Sequence, residues 1–320
     1  MNAAPTIRVA PSRVGSLSQP VRVSEELVHR RDSAEVIPTG WSRLSDSEFT
    51  VNGYWPHDHD LFAPLQDGRH DPLLVVETLR QSGILIAHTE FGVPLGYHFV
   101  MSNLRFSCDR RNMQVTPGSG HVEVQVTCSG IRVRASQLSA MKVEVDIRRA
   151  GKRIAVASGD VTCTSPQVYR RLRGARLDSI GAPIRLLRPL PPELAGRTDA
   201  ADVVLSPTPQ QNTWRLRVDT AHRSFFQRPN DHVPGMLLLE AARQAACAGA
   251  APEPFVPVSG IISFSKYAEF AEPCWIQATT LESTSAGARE VEVVAHQGDE
   301  LVLCARLTGN AATDHADAFA

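Results

Sequence analysis

The sequence predicts an α+β fold built from two similar units. Each half of the chain contains one long apolar helical segment, LLVVETLRQ from residue 73 and MLLLEAARQ from residue 236. Each helical segment is followed by several segments in which apolar and polar residues alternate with a period of two, which is typical of strands. One helix followed by a run of strands is the layout of a domain in which a helix lies across an antiparallel sheet.

A repeated polar triplet shows that the two units arose by duplication. The triplet is glutamate, arginine three residues later and glutamine one residue after that, and it recurs with a constant offset of 163 residues: Glu77, Arg80 and Gln81, then Glu240, Arg243 and Gln244. The same offset relates His59 and Phe62, before the first helix, to His222 and Phe225, before the second. The loop and the helix therefore belong to one repeated structural unit.

The elements of each unit follow in the same order. In the first unit we expect a strand at 48–55, a loop with several histidines, a helix at about 71–90 and four strands near 98–108, 121–130, 140–149 and 153–165. In the second we expect a strand at 213–220, a helix from just after Pro234 to about Gly249, and strands near 257–270, 275–283, 290–297 and 300–309. The predicted organisation is a loose tail at 1–25, a first repeat at 26–168, a linker at 169–205, a second repeat at 206–310 and a tail at 311–320.

Composition limits the classes of function. The chain has 320 residues, 42% of them hydrophobic, and a formal net charge of −1, which gives no reason to expect a nucleic acid or a membrane as partner. No apolar stretch is long enough to span a bilayer and the N-terminus lacks the apolar core of a signal peptide, so we expect a cytoplasmic protein.

The six cysteines form no CxxC pair, which favours buried free thiols. His57, Asp58, His59 and Asp60 have no further ligand pattern around them, and we expect no metal.

The polar triplet can be interpreted in two ways. Residues at i, i+3 and i+4 project from one face of a helix. On an otherwise apolar helix such a face is either a solvated stripe, with a weak surface ion pair, or a polar patch that faces a cavity. The arginines between the repeats can also be interpreted in two ways: they bind a phosphate or an acidic partner, or they belong to a solvated connector. These arginines are Arg170, Arg171, Arg173, Arg176, Arg185 and Arg188.

The motif around the second helix resembles that of hotdog domains that act on acyl thioesters. An aromatic pair, Phe225 and Phe226, precedes a PGxxxxE motif formed by Pro234, Gly235 and Glu240. Over the whole chain, RHDPLLVVETLRQSGILIAHTEFGVPLGYHF together with DHVPGMLLLEAARQAA resembles the A-factor biosynthesis family, the double-hotdog γ-butyrolactone synthases. The resemblance covers roughly residues 26 to 310. It implies a tandem hotdog fold in which an antiparallel sheet wraps a central helix in each repeat.

The resemblance also implies a reaction. Members of this family transfer a β-ketoacyl group from acyl carrier protein to the hydroxyl of dihydroxyacetone phosphate, and the ester closes to a butenolide on the way to a signalling lactone. No cofactor is implied, and a monomer or a homodimer is compatible with two fused hotdogs. Two alternatives stay open, namely a hotdog dehydratase or thioesterase and a non-catalytic regulator that binds a lactone. The absence of a His-Phe-Pro run before the helix argues against simple dehydration.

This chemistry suggests roles for particular residues. Backbone N–H groups at Gly235 and Met236, in the first turn of the second helix, are candidates to polarise the thioester carbonyl. Glu77 is the candidate base, with a pKa raised by partial burial. Because hotdog helices lie side by side, we expect Glu77 to share a cross-repeat site with Arg243 and His232, and the symmetry-related site to combine Glu240, Arg80 and His70.

The remaining candidates bind substrate. Arg80 and Arg243 are suited to phosphate because a guanidinium presents a rigid fork of donors, and Gln81 and Gln244 lie one helical position further on. An arginine that is bound to its own helix glutamate would lower the pKa of that glutamate and weaken it as a base. Six apolar residues are candidates for an acyl tunnel or for ordinary core: Leu73, Leu74, Phe99, Met236, Leu237 and Phe264.

Overall fold

A computed structural model describes residues 23–281 and 288–310. The predicted loose ends, at residues 1–22 and 311–320, lie outside the described residues. The helices are α1 (Leu73–Thr89), α2 (Pro166–Arg173) and α3 (Gly235–Ala250). The strands of the first half are β1 (Pro38–Arg43), β2 (Glu48–Tyr54), β3 (His98–Cys108), β4 (His121–Arg134), β5 (Gln137–Arg149) and β6 (Lys152–Thr164). Those of the second half are β7 (Leu205–Pro207), β8 (Thr213–Leu216), β9 (Pro257–Phe264), β10 (Cys274–Leu281), β11 (Ala288–Gln297) and β12 (Glu300–Asn310).

All of these strands form one antiparallel sheet with the order β1-β2-β4-β5-β6-β3-β9-β12-β11-β10-β8-β7. The order is symmetric about its centre, because each strand of the first half has a counterpart at the mirrored position of the second. The two halves join where β3 pairs with β9, from Asn103 opposite Ser263 to Ser107 opposite Ser259. The duplication seen in the sequence is therefore a structural pseudo-twofold symmetry of the sheet.

Each repeat packs one central helix on its half of the sheet. Helix α1 lies against β5 and β6, and helix α3 lies against β10 and β11. Both helices are buried on almost all sides, which explains why their apolar residues do not keep to one stripe. Glycines allow the close approach: a Cβ at Gly83 would lie 3.4 Å from the side chain of Val143, and one at Gly249 would lie 3.3 Å from that of Ala278.

The long periodic elements are confirmed, and three short ones were not predicted. Strands β1 and β7 lack apolar alternation and form by pairing with β2 and β8. Helix α2 begins at the end of the predicted first repeat, where the Ser165 hydroxyl accepts a hydrogen bond from the Val168 N–H at 3.4 Å and Pro166 occupies the first turn. Serine before proline at this point is a standard helix start.

Two further expectations concern cysteines and membranes. All six cysteines lie in the described residues, none is in a disulfide, and five are buried. Burial raises the pKa of the Cys108 and Cys128 thiols to about 12. Within residues 23–281 and 288–310, no helix has the length and apolar character needed to cross a membrane.

Candidate active site

The first polar triplet forms a buried ion-pair cluster. The Glu77 side chain is 1% exposed, and its Oε2 accepts a hydrogen bond from Arg80 Nε at 2.9 Å. Its Oε1 accepts hydrogen bonds from Arg80 Nη2 at 2.8 Å and from Gln81 Nε2 at 2.6 Å. Arg30, from the segment before β1, donates a further hydrogen bond to the same oxygen. We call these four residues the first cluster.

The second triplet forms an equivalent cluster in the other repeat. The Glu240 carboxylate accepts two hydrogen bonds from Arg243, at 2.8 and 2.6 Å, and one from Gln244 at 2.6 Å. Arg197 donates two more, both at 2.8 Å. The Glu240 side chain is 0% exposed. We call Glu240, Arg243, Gln244 and Arg197 the second cluster.

These contacts correct three expectations about the glutamates. Burial alone would raise the pKa of Glu77, but Arg30, Arg80 and the Gln81 amide hold it well below its ordinary range. Arg197, Arg243 and their hydrogen bonds have the same effect on the pKa of Glu240. The prediction of a raised pKa was therefore wrong, and so was the solvated stripe, because both carboxylates are buried and ionised. The expected pairing across the repeats was also wrong, because each glutamate pairs with the arginine of its own helix.

Arg30 and Arg197 were missed from the sequence, although a signal for them exists. Leu27, Arg30 and Asp32 recur as Leu194, Arg197 and Asp199, with a constant offset of 167 residues. The backbone contacts recur as well: Gln81 bridges the N–H of Ile37 and the carbonyl of Glu35, and Gln244 bridges the N–H of Val204 and the carbonyl of Asp202. Part of the predicted linker thus makes the same contacts with the central helix of its repeat as the start of the first repeat does. We propose that the second repeat begins near residue 194.

Contacts between the repeats come from the same two arginines. Arg30 Nη1 donates to the carbonyl oxygen of Ser224, in the loop before α3, at 3.2 Å. Arg197 Nη1 donates to the carbonyl oxygen of Leu61, in the loop before α1, at 2.7 Å. Ser224 and Leu61 are themselves related by the offset of 163 residues. Each buried glutamate therefore fixes an arginine that ties its own repeat to the opposite loop.

The two clusters differ in their charge. Arg197 lies 3.2 Å from the carboxylate of Asp71 as well as bonding Glu240, so two arginines face two carboxylates in the second cluster. At the position equivalent to Asp71 the second repeat has Pro234, and Arg30 forms no direct ion pair with a second carboxylate among the described residues, although Glu35 attracts it at longer range. In its direct ion pairs the first cluster therefore has one more arginine than carboxylates.

One cavity of about 1050 Å³ lies between the repeats. Its wall combines α1, α2, the loop at 224–234, the first turn of α3 and residues of β3 and β9. Four predicted site residues line it: Arg80, His232, Gly235 and Met236. Six do not: Glu77, Gln81, Glu240, Arg243, Gln244 and His70. The cavity therefore lies beside the first cluster, while the second cluster is enclosed by protein.

His70 does not reach the mouth of a site. It is 1% exposed, and its Nε2 lies 3.4 Å from the hydroxyl of Ser119 within the first repeat. Burial, together with repulsion from Arg149 and His57, lowers the pKa of His70 to about 3. The expectation of a symmetry-related site that uses His70 is not supported by this position.

His232 belongs to a hydrogen-bonded group on the cavity wall. Its Nδ1 lies 3.0 Å from Asp231 Oδ1 and 3.3 Å from the Tyr169 hydroxyl, which itself donates to Asp231 at 2.7 Å. Among the residues described, Nε2 of His232 has no hydrogen-bond partner. Burial alone would raise the pKa of Asp231, but hydrogen bonds from His232, Tyr169 and Arg173 hold it well below its ordinary value. Asp231 is therefore an anion that holds and orients the imidazole.

Arg173 links this group to the loop between β9 and β10. It donates to Asp231 through Nε and to Glu269 through both terminal nitrogens, at 2.8 and 2.7 Å. Arg176 contacts the same glutamate at 3.1 Å. These two arginines come from the segment after β6 that the sequence left open between an anion grip and a connector. Both line the cavity, and both are paired with carboxylates.

Another part of the wall is formed by apolar and neutral side chains. Phe99, Met236 and Phe264 line the cavity, as expected for an acyl pocket, whereas Leu73, Leu74 and Leu237 are buried elsewhere in the core. His98 stacks on Tyr169 with ring centroids 3.5 Å apart. Burial and repulsion from Arg228 lower the pKa of His98 to about 4, and burial with repulsion from Arg228 and Arg80 lowers that of His29 to about 2.

Comparisons with known proteins agree with this architecture. The family model described as "A-factor biosynthesis hotdog domain" matches residues 13–165 and 182–313. The chain is 48% identical to a 2-oxo-3-(phosphooxy)propyl 3-oxoalkanoate synthase of Streptomyces coelicolor over 89% of this chain and 90% of that protein. It is 45% identical to the synthase of the same name from Streptomyces virginiae, over 88% of this chain and 95% of that protein.

Solved structures support the fold. A protein from Lactobacillus plantarum described as an oleoyl thioesterase superposes with a TM-score of 0.54 at 16% identity, covering 84% of this chain and 98% of that one. At this identity the likeness concerns the fold alone. With the family match, it confirms the predicted α+β tandem hotdog, in which a central helix packs on each half of an antiparallel sheet.

Proposed function

The chain belongs to the A-factor biosynthesis hotdog family and is an acyl-transferring enzyme, and we propose how the cavity between its repeats performs the transfer. The reaction moves a β-ketoacyl group onto the hydroxyl of dihydroxyacetone phosphate, the step that the names of its relatives describe. It belongs to the biosynthesis of γ-butyrolactone signals. A dehydratase, a thioesterase and a lactone-binding regulator are not favoured.

The donor is a β-ketoacyl thioester of acyl carrier protein. Exposed arginines on and after α2 suit an acidic carrier protein: Arg170 and Arg176 line one side of the cavity, and Arg171 is exposed next to Arg170 in the sequence. Phe99, Met236 and Phe264 suit the acyl chain. We expect the enzyme in the cytoplasm, where such thioesters are made, as a monomer or a homodimer.

The first turn of α3 is placed to polarise the thioester carbonyl. In the part of the chain that the structure describes, the N–H groups of Gly235 and Met236 have no hydrogen-bond partner, as expected for the first helical residues. Gly235 is exposed in the cavity, and the nearest atom to a Cβ added there is 3.8 Å away on Phe264. A carbonyl oxygen can therefore approach the backbone, and the positive end of the helix dipole stabilises the developing oxyanion.

His232 is the base that we favour. The substrate hydroxyl gives its proton to Nε2 as its oxygen attacks the thioester carbon, and Asp231 stabilises the imidazolium through Nδ1. The C–S bond then breaks, the C–O ester bond is complete, and the proton passes from Nε2 to the leaving thiolate. The observation that carries this assignment is the orientation of His232 on the cavity wall by the anionic Asp231.

The other candidates are assigned supporting roles. Glu77 positions Arg30 and Arg80, because both of its oxygens are occupied and it does not line the cavity. Gln81 fixes the segment before β1. Glu240, Arg243 and Gln244 stabilise the second repeat and its contact with the first. His70 has no part in the reaction.

The reaction can be tested directly. Purified enzyme, β-ketoacyl carrier protein and dihydroxyacetone phosphate should give the phosphorylated ester or its butenolide, detected by mass spectrometry. His232→Asn should lower kcat by a factor of about 10² to 10⁴ while leaving the unfolding transition unchanged. His121→Asn, at an exposed position on β4 away from the cavity, is the matched control. A His232→Asn variant with normal turnover would remove His232 as the base, and an acceptor-independent release of free acid would instead indicate a thioesterase.

A further inference from the structure

Arg228 is a cavity arginine whose charge is not neutralised. Within the described residues its guanidinium has no ion pair and no hydrogen bond, whereas Arg173, Arg176 and Lys266 on the same wall pair with Asp231, Glu269 and Glu300. Arg170 also lacks a carboxylate and is exposed like Arg228, but it lies on α2 and not on the loop that is fixed against the first cluster. An unpaired arginine on a concave wall is placed to bind an anion.

The loop that carries Arg228 is fixed beside the first cluster. Gln227 Oε1 accepts hydrogen bonds from the backbone N–H groups of Arg31 and Asp32, at 2.9 and 3.3 Å. The Ser224 hydroxyl donates to Glu35 at 2.9 Å, and the Ser224 carbonyl accepts from Arg30. Arg228 is therefore held next to Arg30 and Arg80 by contacts that do not involve its own side chain.

The local charge supports an anionic ligand. Enclosure by the cavity wall and repulsion from Arg80 and Arg30 lower the pKa of Arg228. Two carboxylates act against these three guanidinium groups, because Glu77 pairs with Arg30 and Arg80 and Glu35 attracts Arg30. Three positive and two negative charges (3 − 2) leave an excess of one positive charge beside the cavity. The first repeat has Leu65 at the position equivalent to Arg228, so the excess is found on one side of the pseudo-twofold axis.

We propose that Arg228 binds the phosphate of the acceptor, together with Arg80, and thereby selects a phosphorylated acceptor over the free ketone. This inference rests on the proposed function. A phosphate monoester carries up to two negative charges and is therefore attracted to this excess of positive charge. The guanidinium of Arg228 provides a fork of N–H donors for two of its oxygens.

A second phosphate enters the same reaction, in the prosthetic arm of the carrier protein. That phosphodiester carries one negative charge and lies where the arm leaves the carrier, so it belongs near the exposed arginines of α2. Arg228 is instead on the loop that Gln227 and Ser224 fix against the first cluster, and its charge acts on Arg80 and Arg30. The acceptor phosphate is therefore the one that we assign to Arg228, and kinetics with each substrate varied separately distinguish the two.

The test is Arg228→Leu, which installs the residue found at the equivalent position of the first repeat. Loss of a charged hydrogen-bonded contact of this kind costs about 1.5–3 kcal/mol, which is about 10- to 150-fold in KM for dihydroxyacetone phosphate. Neither the KM of the donor nor kcat/KM for unphosphorylated dihydroxyacetone should change. Arg228→Lys should recover part of the loss because it keeps the charge. Arg223→Leu, on the same loop with a side chain that is 81% exposed and outside the cavity wall, is the matched control.

Titration calorimetry with inorganic phosphate, without turnover, provides a second measurement. The wild type and Arg223→Leu should bind phosphate, and Arg228→Leu should bind it at least about tenfold more weakly. An unchanged KM for dihydroxyacetone phosphate, an equal loss with both acceptors, a shift in the donor KM alone, or equal phosphate binding by Arg228→Leu would each overturn the proposal. If the wild type makes no ester, the proposed function fails, and the phosphate titration still decides the role of Arg228.

Discussion

The two buried clusters have the same glutamate, arginine and glutamine at the same helical spacing, yet their surroundings differ. In the second cluster, Arg197 and Arg243 are balanced by Glu240 and Asp71, and protein encloses the group. In the first cluster, Glu77 forms the direct ion pairs with both Arg30 and Arg80, Glu35 attracts Arg30 at longer range, and Arg80 faces the cavity. The comparison teaches that a duplicated motif can be kept for stability in one copy and adapted for binding in the other by changing its charge balance.

The physical reason lies in the cost of burying charge. An uncompensated charge is expensive away from water, so an enclosed cluster must be close to neutral. A cluster beside a cavity can retain excess charge, because water occupies the cavity when substrate is absent and an anion replaces it on binding. Two differences between the repeats alter the charge balance: the second repeat has Pro234 at the position of Asp71, and it has Arg228 at the position of Leu65.

The largest expected effect separates the two glutamates. Glu240→Gln leaves Arg197 and Arg243 with only Asp71 in an enclosed site and should lower the free energy of unfolding by about 3–5 kcal/mol. Glu77→Gln should cost less, because the Arg80 side chain is 21% exposed and can be solvated from the cavity. Denaturant unfolding of both variants measures the difference. Equal losses would mean that access to the cavity does not distinguish the clusters.

A smaller loss of stability is expected from Asp71→Asn. The amide oxygen can still accept the hydrogen bond that Asp71 Oδ1 receives from the Leu73 N–H at 2.9 Å, but the charge that balances Arg197 is lost. The free energy of unfolding should fall by about 1–3 kcal/mol without loss of turnover. Asp67→Asn removes a half-buried carboxylate that also contacts arginines, and it should cost under about 1 kcal/mol. Reduced turnover at full stability in Asp71→Asn would indicate a second active site.

Acid should destabilise the fold through the same carboxylates. The folded-state pKa values of Glu77 and Glu240 lie below their ordinary value, so the unfolded chain binds more protons. Their stabilisation is complete at a pH about one unit above the ordinary pKa of glutamate, that is above about pH 5.5, and is lost as the pH falls through and below that pKa. Each contributes a slope of up to about 1.4 kcal/mol per pH unit in that range. Glu240→Gln should remove its share of the slope when unfolding is measured from pH 5 to pH 3, and an unchanged slope would contradict the depressed pKa.

The smallest expected effect concerns the helix starts. Helix α3 opens with Gly235 at the cavity, whereas the equivalent position before α1 is Pro72 in the core of the first repeat. Gly235→Ala should fold normally, since its Cβ meets only an ordinary contact. Its methyl group should hinder approach of the thioester carbonyl and lower kcat by up to about tenfold, or about 1.4 kcal/mol. Unchanged steady-state kinetics would mean that the thioester carbonyl does not bind at this turn.

Much of the fold could be predicted because it depends on local patterns. Alternating apolar residues identified the long strands, and helix α1 began and ended within two residues of its predicted bounds. Strands β1 and β7 could not be recognised, since PTGWSR and LSP have no alternation and acquire their structure from neighbouring strands.

The site was predicted only in part. His232, Gly235, Met236 and Arg80 line the cavity because they flank or belong to the central helices, whose positions the repeat indicated. The state of Glu77 was mispredicted because its decisive partner, Arg30, is 47 residues away in the sequence. No sequence pattern indicated a role for Arg228, because that role depends on the loop that holds the residue beside the first cluster.

By itself the sequence determined the duplication, the family, the order of elements and the face of each helix that carries the polar triplet, because helical spacing and strand alternation are local properties. The tertiary structure decided which triplet faces the cavity, which carboxylates remain ionised and which arginine is left without a partner. These depend on the electrostatic balance among groups distant in sequence and on their access to water, which exist only once the two repeats pack together.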